Sequence, residues 1–177
     1  REFAKNHVAL RPYTEIENAV GKLSGRKKML IDPERLSYAL YKLIPDETEM
    51  IEKENPEIIM KSVKNDIETE HIRRAHLKDA AAHTKFIYWL KENIGKTEIT
   101  ERSASARLEE FRKEQDGYLG PSFEPISAYY EHGAIVHYSA SKESDARLEK
   151  GHFLLTDTGG HYKDGSTDIT RTVALGE

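Results

Sequence analysis

The sequence contains no cysteine among its 177 residues. A disulfide framework and a zinc site built on thiolates are therefore both excluded. Because disulfides persist mainly in oxidising compartments, this absence fits a reducing one, and we expect a cytoplasmic protein. The sequence also lacks an apolar run near the roughly 20 residues of a membrane-spanning helix, and it shows no signal-peptide pattern. We therefore expect no membrane partner.

An excess of positive charge is missing as well. The 27 Lys and Arg residues are spread among 31 Asp and Glu residues, and the formal net charge is −4. Since a nucleic-acid-binding domain usually carries a concentrated basic surface, we expect no nucleic-acid partner. The length suits one domain or a domain and a half. The chain starts with Arg1 instead of Met and ends just after a predicted strand, which suggests a piece of a longer protein.

Residues 1–62 contain short elements of an α/β type. Thr14 and Glu17 have the spacing of a capping box, which predicts a helix that ends at Gly25. Asp32-Pro33 predicts the start of another helix, which ends before a proline. Strands are expected at 29–31 and 49–52, and a helix at about 55–63. Such small elements make a thin core, so we expect additional sequence upstream.

The longest predicted helix starts at Asn65, which has Glu68 three residues later, and runs to about Gly95. Its second half is apolar on nearly every side, so we expect it to pack on two faces. One predicted stripe contains Leu77, Ala80, Ala81, Thr84, Ile87 and Tyr88, and a second contains Phe86, Trp89 and Leu90. His76, Asp79 and His83 share another face, which we interpret as exposed, not metal-binding.

After this helix the sequence changes from helical to β character. A helix is predicted at about 101–114, with Ala104, Leu108 and Phe111 pointing inward. Short strands are predicted near Tyr118, near Ile126 and at 134–136. The last of these would place His137 at the end of a strand, where a lone histidine is commonly a hydrogen-bonded structural residue.

Two aspartates belong to a predicted β-hairpin at the end of the chain. Asp157 closes one apolar strand, and Asp168 opens a second strand after a loop rich in Gly, Asp and Ser. We expect these residues to face each other, with Cβ atoms roughly 4.5–5.5 Å apart. Two carboxylates at that distance repel each other by a few kcal/mol at an effective dielectric of about 20. A shared proton or divalent cations would remove this repulsion, and we favour metal.

These aspartates have two other possible interpretations. A calcium-binding loop that begins at Asp157 would have Gly159 at its third position and no closing Glu, so this class is excluded. Asp is also common beside turns for backbone reasons alone, and a purely structural role stays open. Asp164-Gly165 is interpreted as a turn.

The hairpin and three other stretches together carry a family resemblance. The hairpin contains DTGGHYKDGSTDITRT, and the other stretches are KNDIETEHIRRAHLKDAAAHTKFIYWL, ARLEEFRKEQDGYLGPSFEPIS and EHGAIVHYSA. They resemble the Xaa-Pro aminopeptidases (aminopeptidase P) of the pita-bread metallopeptidase family, which also includes prolidase and methionine aminopeptidase. The resemblance implies an α+β fold. Residues 1–62 would be the C-terminal part of a creatinase-like N-terminal α/β domain, and residues 63–177 the first half of a pita-bread catalytic domain.

The resemblance also implies a site. Asp157 would bind one divalent metal ion through both oxygens, and Asp168 would bridge two metal ions. His137 matches a catalytic histidine that contacts the substrate or the tetrahedral intermediate, and Phe123 matches a position on the substrate side of the cleft. Thr170 shares the strand face of Asp168, and we expect it to support the metal ligands. Hard oxygen ligands with one imidazole favour manganese, with cobalt or zinc as alternatives.

The implied activity is removal of the N-terminal residue from peptides with proline in the second position. The family supplies three further ligands, one His and two Glu, and a general-base Glu, all from sequence that would follow Glu177. We therefore expect the 177-residue chain to hold metal weakly and to be inactive. The parent protein could be a homodimer, a question that the resemblance leaves open.

Three alternative functions remain. They are a prolidase-type dipeptidase, a metal-free hydrolase of creatinase type, and a metal-free pita-bread module that binds peptides or proteins. The presence of both Asp157 and Asp168 argues against the two metal-free alternatives. The preceding α/β domain and the SFEPIS and HGAIVHYSA stretches favour an aminopeptidase over a prolidase.

Overall fold

The computed structural model describes residues 8–23 and 28–176. Contacts divide the chain into two compact units, Arg1–Lys64 and Asn65–Glu177. In the part of the chain that the structure describes, no helix is both long enough and apolar enough to cross a membrane.

The first unit is built on a parallel pair of short strands. The strands β1 (Lys28–Ile31) and β2 (Glu49–Glu52) pair in register, with Leu30 opposite Ile51. Three short helices accompany them: α1 (Ile16–Gly21), α2 (Tyr38–Tyr41) and α3 (Pro56–Ser62). The two strands and α3 match the sequence prediction.

The predicted helix starts in this unit are wrong in two places. Helix α1 has Glu15 at its N-cap and no side-chain cap, so Thr14 and Glu17 do not form a capping box. Helix α1 ends at Gly21, and the predicted end at Gly25 lies outside the described residues.

Asp32 also does not start a long helix. A turn follows it, and α2 begins only after its N-cap, Ser37. One oxygen of the buried Asp32 carboxylate accepts a hydrogen bond from the backbone N of Glu34 at 3.1 Å. The other accepts from the backbone N of Asn55 at 3.1 Å. The carboxylate therefore joins the end of β1 to the start of α3, which a local capping pattern does not reveal.

The second unit begins with the long helix α4 (Asp66–Asn93). Its start is as predicted, because Asn65 and Glu68 form a capping box with two hydrogen bonds of 2.9 Å. The first predicted stripe is not the buried face, since Leu77 is 72% exposed and Tyr88 is 70% exposed. The buried residues are Ala75, Asp79, Ala82, His83, Phe86 and Leu90. Phe86 and Leu90 of the second predicted stripe are thus buried as expected. The prediction that Asp79 and His83 lie on an exposed face is wrong, because hydrophobicity alone places such polar side chains outside.

Helix α5 (Glu101–Lys113) packs against α4 and follows the prediction closely. Thr100 and Ser103 form its capping box. Its buried residues include the three that were expected, Ala104, Leu108 and Phe111, together with two charged ones, Glu101 and Arg112. The core of the unit joins both helices to the strands through Phe86, Leu90, Leu108, Leu154 and Leu175.

Two antiparallel three-stranded sheets complete the second unit. One contains β3 (Tyr118–Pro121), β6 (Gly160–Tyr162) and β7 (Gly165–Ser166). The other contains β4 (Ile126–Tyr129), β5 (Phe153–Thr158) and β8 (Ile169–Ala174). The β6–β7 ribbon is thus inserted between β5 and β8 but pairs with β3 in the other sheet.

The register of β5 with β8 corrects the predicted pairing of the two aspartates. Leu154 lies opposite Val173, and this pair is buried, so Asp157 lies opposite Thr170. Asp168 precedes the first residue of β8 and is not directly across from Asp157. The hydrophobic pattern predicted the correct face of each strand, but the register was offset by two residues.

The strand predicted at 134–136 is also wrong. A 3-10 helix, Tyr130–Ala134, includes the first of these residues, and the backbone N of Ile135 donates to the carbonyl of His132 at 3.0 Å. Residues 134–136 pair with no strand in the described structure, and Val136 is 83% exposed. His137 therefore lies in a loop with a positive φ of 55° and does not end a strand.

Candidate functional site

One pocket is lined by four of the site residues that the sequence singled out: Phe123, His137, Asp157 and Asp168. It has a volume of about 370 Å³. The four residues come from three parts of the second unit: the β3–β4 connection, the loop that contains His137, and the β5–β8 hairpin. Glu124, Ile126, Tyr138 and Ser139 complete the lining.

The two aspartates lie on the same side of the β5–β8 hairpin. Side chains alternate between the two faces of a strand, so Asp168 points to the same face as Thr170, two residues later. Thr170 is the direct partner of Asp157 and donates a hydrogen bond from its hydroxyl to Oδ1 of Asp157 at 2.8 Å. Thr170 therefore contacts Asp157, the aspartate opposite it, although the prediction associated it with Asp168.

The aspartates have no cationic partner in the described structure. No Lys, Arg or His among residues 8–23 and 28–176 forms an ion pair with Asp157 or Asp168. The nearby Arg171 donates to the carbonyl oxygen of Thr170 at 2.7 Å. Two carboxylates that share a pocket without a neutralising side chain are suitable oxygen ligands for divalent cations.

These two carboxylates alone do not make a full coordination shell. Nowhere in the described residues do three or more His, Asp or Glu side chains come close enough together to hold a metal ion. The residues present therefore fit part of a metal site, with other ligands needed to complete it.

His137 is exposed at the pocket, and the neighbouring Tyr138 is buried. The Tyr138 hydroxyl donates to Oε2 of Glu101 at 2.7 Å and lies 3.1 Å from the Ser144 hydroxyl. Burial, together with the hydrogen bond to Glu101, raises the pKa of Tyr138, so its hydroxyl remains a donor. This contact holds one end of the segment in which His137 has its positive φ.

Glu101, at the start of α5, is fully buried and was missed in the sequence. Besides Tyr138, its carboxylate contacts Nδ1 of His132 at 2.8 Å and accepts from the backbone N of Tyr129 at 2.6 Å and of Ala146 at 3.2 Å. A single carboxylate thus connects both ends of the loop that contains His137. A Glu in the first turn of a helix is ordinary for electrostatic reasons, so the sequence carried no signal of its burial.

A second buried polar group lies against the opposite face of the hairpin. Asp79 and Arg112 form an ion pair, with Nε of Arg112 2.6 Å from Oδ1 of Asp79. His83 is buried beside them, and its Nε2 lies 3.4 Å from the Thr156 hydroxyl. Burial and the positive charge of Arg112 lower the pKa of His83 from 6.5 to about 4, so this histidine is neutral at pH 7. The signal in the sequence was the helical spacing of Asp79 and His83 with Ala75, Ala82 and Phe86.

Two family models match the chain. The model of metallopeptidase family M24 matches residues 70–177, and that of the creatinase/prolidase N-terminal domain matches residues 1–68. The predicted α+β fold, with a creatinase-like N-terminal part followed by a pita-bread fold, is confirmed.

Individual proteins agree with these matches. Xaa-Pro aminopeptidase 2 from Sus scrofa is 39% identical over 170 residues, which is 96% of this chain and 25% of that protein. The crystal structure of X-prolyl aminopeptidase from Caenorhabditis elegans, described as a cytosolic enzyme with a dinuclear active site, has a TM-score of 0.87 and 30% identity. The match covers 99% of this chain and 30% of that structure. X-Pro aminopeptidase from Thermotoga maritima has a TM-score of 0.76 and 26% identity over 96% of this chain and 47% of that structure.

The chain spans about a quarter of the length of the curated relatives it matches. The resemblance inferred from the DTGG hairpin and its companion stretches is confirmed by these relatives. Since the M24 model alone matches more than half of the 177 residues, the chain belongs to metallopeptidase family M24.

Proposed function

We propose that this chain is part of a metal-dependent Xaa-Pro aminopeptidase, which removes the N-terminal residue from peptides with proline in the second position. The observation that carries the proposal is that Asp157, Asp168, His137 and Phe123 line one pocket in a chain of the M24 family. Relatives at 35–39% identity are named Xaa-Pro aminopeptidases, which supports the same chemistry here.

Asp157 and Asp168 are the metal ligands in this proposal. Together they would hold the divalent ions through their carboxylate oxygens. Support comes from the absence of a cationic partner for either carboxylate among the described residues and from the dinuclear site of the C. elegans enzyme. Carboxylate oxygens combined with one imidazole suit manganese, with cobalt or zinc as alternatives. A bound divalent pair supplies Lewis-acid chemistry and lowers the pKa of bound water.

The other pocket residues have separate roles in this proposal. Thr170 orients the Asp157 carboxylate through its 2.8 Å hydrogen bond to Oδ1. His137 donates a hydrogen bond to the substrate carbonyl or to the oxyanion that forms from it, which its exposed position at the pocket allows. Phe123 provides an apolar contact on the substrate side of the cleft.

We further propose that the 177-residue chain alone binds metal weakly and does not turn over substrate. The family pattern needs one His and two Glu as additional ligands, and no cluster of three ligands occurs in the described part of the chain. We place the boundary between the N-terminal domain and the incomplete catalytic domain at residues 62 and 63, and we place the parent enzyme in the cytoplasm.

Manganese titration followed by electron paramagnetic resonance tests the metal proposal, because free Mn²⁺ and bound Mn²⁺ give different signals. Asp157→Asn and Asp168→Asn are each expected to weaken binding by at least about tenfold. Asp164→Asn is the matched control, since this aspartate lies in the β6–β7 turn and pairs with Lys78. Binding that is equal in all four proteins would contradict the proposal.

The substrate class is tested on a longer chain of the same protein that includes the remaining ligands. A tripeptide with proline in the second position should be cleaved after its first residue, and a dipeptide that ends in proline should be a poorer substrate. Cleavage of the dipeptide alone would identify a prolidase-type enzyme. Turnover by the 177-residue chain, with contaminating enzyme excluded, would contradict the proposed inactivity.

A further inference from the structure

Asp79 on α4 and Arg112 on α5 have no part in the proposed function, although both are fully buried. Asp79 is 0% exposed and Arg112 is 2% exposed. Their side chains form a bidentate ion pair. Nε of Arg112 lies 2.6 Å from Oδ1 of Asp79, and Nη2 of Arg112 lies 3.3 Å from Oδ2. Burial of two charges is unfavourable, and apolar residues of similar volume are often at least as stable in such positions. Stability alone therefore does not account for the pair.

Arg112 is hydrogen-bonded to the residue that follows Asp157. Nη2 of Arg112 donates a hydrogen bond to the hydroxyl of Thr158 at 2.9 Å. Thr158 is buried, is the last residue of β5 and directly follows Asp157. Because neighbouring side chains of a strand point to opposite faces, Arg112 contacts the strand on the side away from the pocket. The backbone of Asp157 is held there from the buried face.

Asp79 is hydrogen-bonded to the residue that precedes Asp168. The hydroxyl of Thr167, the residue before Asp168, donates a hydrogen bond to Oδ2 of Asp79. The Tyr162 hydroxyl lies 3.3 Å from Oδ1 of the same carboxylate. The Thr167 hydroxyl also accepts a hydrogen bond from the backbone N of Gly160 at 2.9 Å. The residue before Asp168 is therefore hydrogen-bonded to Asp79, whereas the residue after Asp157 is hydrogen-bonded to Arg112 of the same ion pair.

The chain segments around these two threonines are in close backbone contact. The Ser122 hydroxyl donates to the carbonyl of Thr167 at 2.8 Å, and the backbone N of Ser122 donates to the carbonyl of Gly159 at 3.1 Å. A Cβ atom at Gly159 would lie 2.0 Å from the Thr167 carbonyl oxygen. The two ends of the β6–β7 ribbon are thus in close contact through Gly159 and Thr167. Asp157 and Asp168 lie beside this contact.

We propose that Asp79 and Arg112 are positioning residues that fix the spacing of the Asp157 and Asp168 carboxylates before metal binds. This inference rests on the proposed metal function. Each of the two carboxylates is one residue away from a threonine that is hydrogen-bonded to the buried ion pair. Ligands that are held in place before binding lose less conformational freedom, which increases affinity for the metal.

The main test replaces the pair with apolar residues, Asp79→Leu/Arg112→Met, and uses two measurements. The affinity for Mn²⁺ should fall by about tenfold or more, the size seen when the groups that orient metal ligands are removed. Amide hydrogen exchange across residues 157–168 should become about tenfold faster in the metal-free chain. The midpoint of urea unfolding should be unchanged or higher, which separates positioning from stability.

The matched control removes a different ion pair between the same two segments. Nζ of Lys85 on α4 lies 2.7 Å from Glu114 at the end of α5, and both side chains are exposed. Lys85→Gln/Glu114→Gln should keep the Mn²⁺ affinity and the exchange rates of the parent chain. Parent-like affinity and exchange in Asp79→Leu/Arg112→Met would overturn the inference.

Variants of the two threonines test the same inference with the ion pair intact, and they decide it if the double variant does not fold. Thr158→Val and Thr167→Val should each lower the Mn²⁺ affinity by about fivefold, the equivalent of one hydrogen bond. Thr158→Ser and Thr167→Ser keep the hydroxyl and should restore the affinity. Valine variants that match the serine variants in affinity and in exchange rate would overturn the inference.

Failure of the proposed function gives a different result. In that case the unsubstituted 177-residue chain does not bind Mn²⁺, or the Asp157→Asn variant binds Mn²⁺ as tightly as the unsubstituted chain does. Hydrogen exchange in the metal-free chain then still decides whether Asp79 and Arg112 hold the two aspartates in place.

Discussion

The hydroxyl of Tyr138 donates a hydrogen bond of 2.7 Å to the buried carboxylate of Glu101, 37 residues earlier in the chain. This contact joins the start of α5 to the residue beside His137. The same carboxylate accepts two backbone N–H groups, one on each side of the loop. The position of His137 at the pocket therefore depends on a residue that does not line that pocket.

Glu101→Gln should destabilise the second unit by about 2–3 kcal/mol. The amide nitrogen of Gln cannot accept a hydrogen bond, so at least one buried donor loses its partner. Urea unfolding at pH 7 measures the change. Glu110→Gln on the same helix is the control, because Glu110 is exposed and forms only a surface ion pair with Arg107, and its unfolding midpoint should match that of the parent. Equal midpoints for both variants would show that the buried carboxylate has no structural role.

Thr170→Val should weaken Mn²⁺ binding by about fivefold with little change in stability. The variant removes the hydroxyl that donates to Asp157 at 2.8 Å, and Val keeps the shape and the strand preference of Thr. Thr172→Val is the control, because Thr172 is exposed on the same face of β8 and lies opposite Leu155. Electron paramagnetic resonance of Mn²⁺ measures both affinities, and equal values would contradict the proposed role of Thr170.

His83 should make stability depend on pH below neutrality. Its pKa is lowered from 6.5 to about 4 by burial first and by Arg112 next, with Arg171 also lowering it and Asp79 opposing the shift. Between these values the unfolded chain binds a proton that the folded chain does not, so stability is lost as the pH falls from about 6.5 to about 4. The loss from this residue should be on the order of 2 kcal/mol.

His83→Gln removes this titration. Urea unfolding at pH 7 and at pH 4.5 should show a smaller loss of stability in the variant than in the parent chain. His161→Gln, which changes an exposed histidine of β6, should keep the pH dependence of the parent. The interpretation is wrong if His83→Gln and the parent lose the same free energy over this pH range.

Gly159→Ala should destabilise the hairpin by about 3 kcal/mol or more. The added Cβ atom would lie 2.0 Å from the carbonyl oxygen of Thr167 and 2.2 Å from the Ser122 hydroxyl, and the backbone contact cannot relax without moving Asp168. Gly165→Ala is the control, since its nearest contact is Ile72 at 3.5 Å. It should change stability by less than about 1 kcal/mol. Thermal unfolding followed by circular dichroism compares the two variants, and similar midpoints would refute the close approach.

The helix boundaries of the second unit were predictable because they depend on local interactions. Asn65 and Glu68 form the predicted capping box, and α5 begins and ends within a residue or so of the expected range. Capping involves residues three positions apart, so a short stretch of sequence contains all of the information.

The buried face of α4 was not predictable in the same way. Asp79 and His83 lie inside because their partners, Arg112 and Thr156, come from α5 and β5. A scale of side-chain hydrophobicity places such residues outside and Leu77 inside, which is the reverse of the structure. Burial of a charge depends on a partner that is remote in sequence, and local periodicity does not reveal that partner.

The sequence by itself determined the family and the common face of Asp157 and Asp168, because the motifs are long and side chains alternate along a strand with a period of two. Only the tertiary structure decided that Asp157 faces Thr170, that His137 lies in a loop, and that one buried ion pair contacts the neighbours of both aspartates. These features depend on strand register and on the desolvation of paired charges. Both are set by contacts between residues that are far apart in the chain.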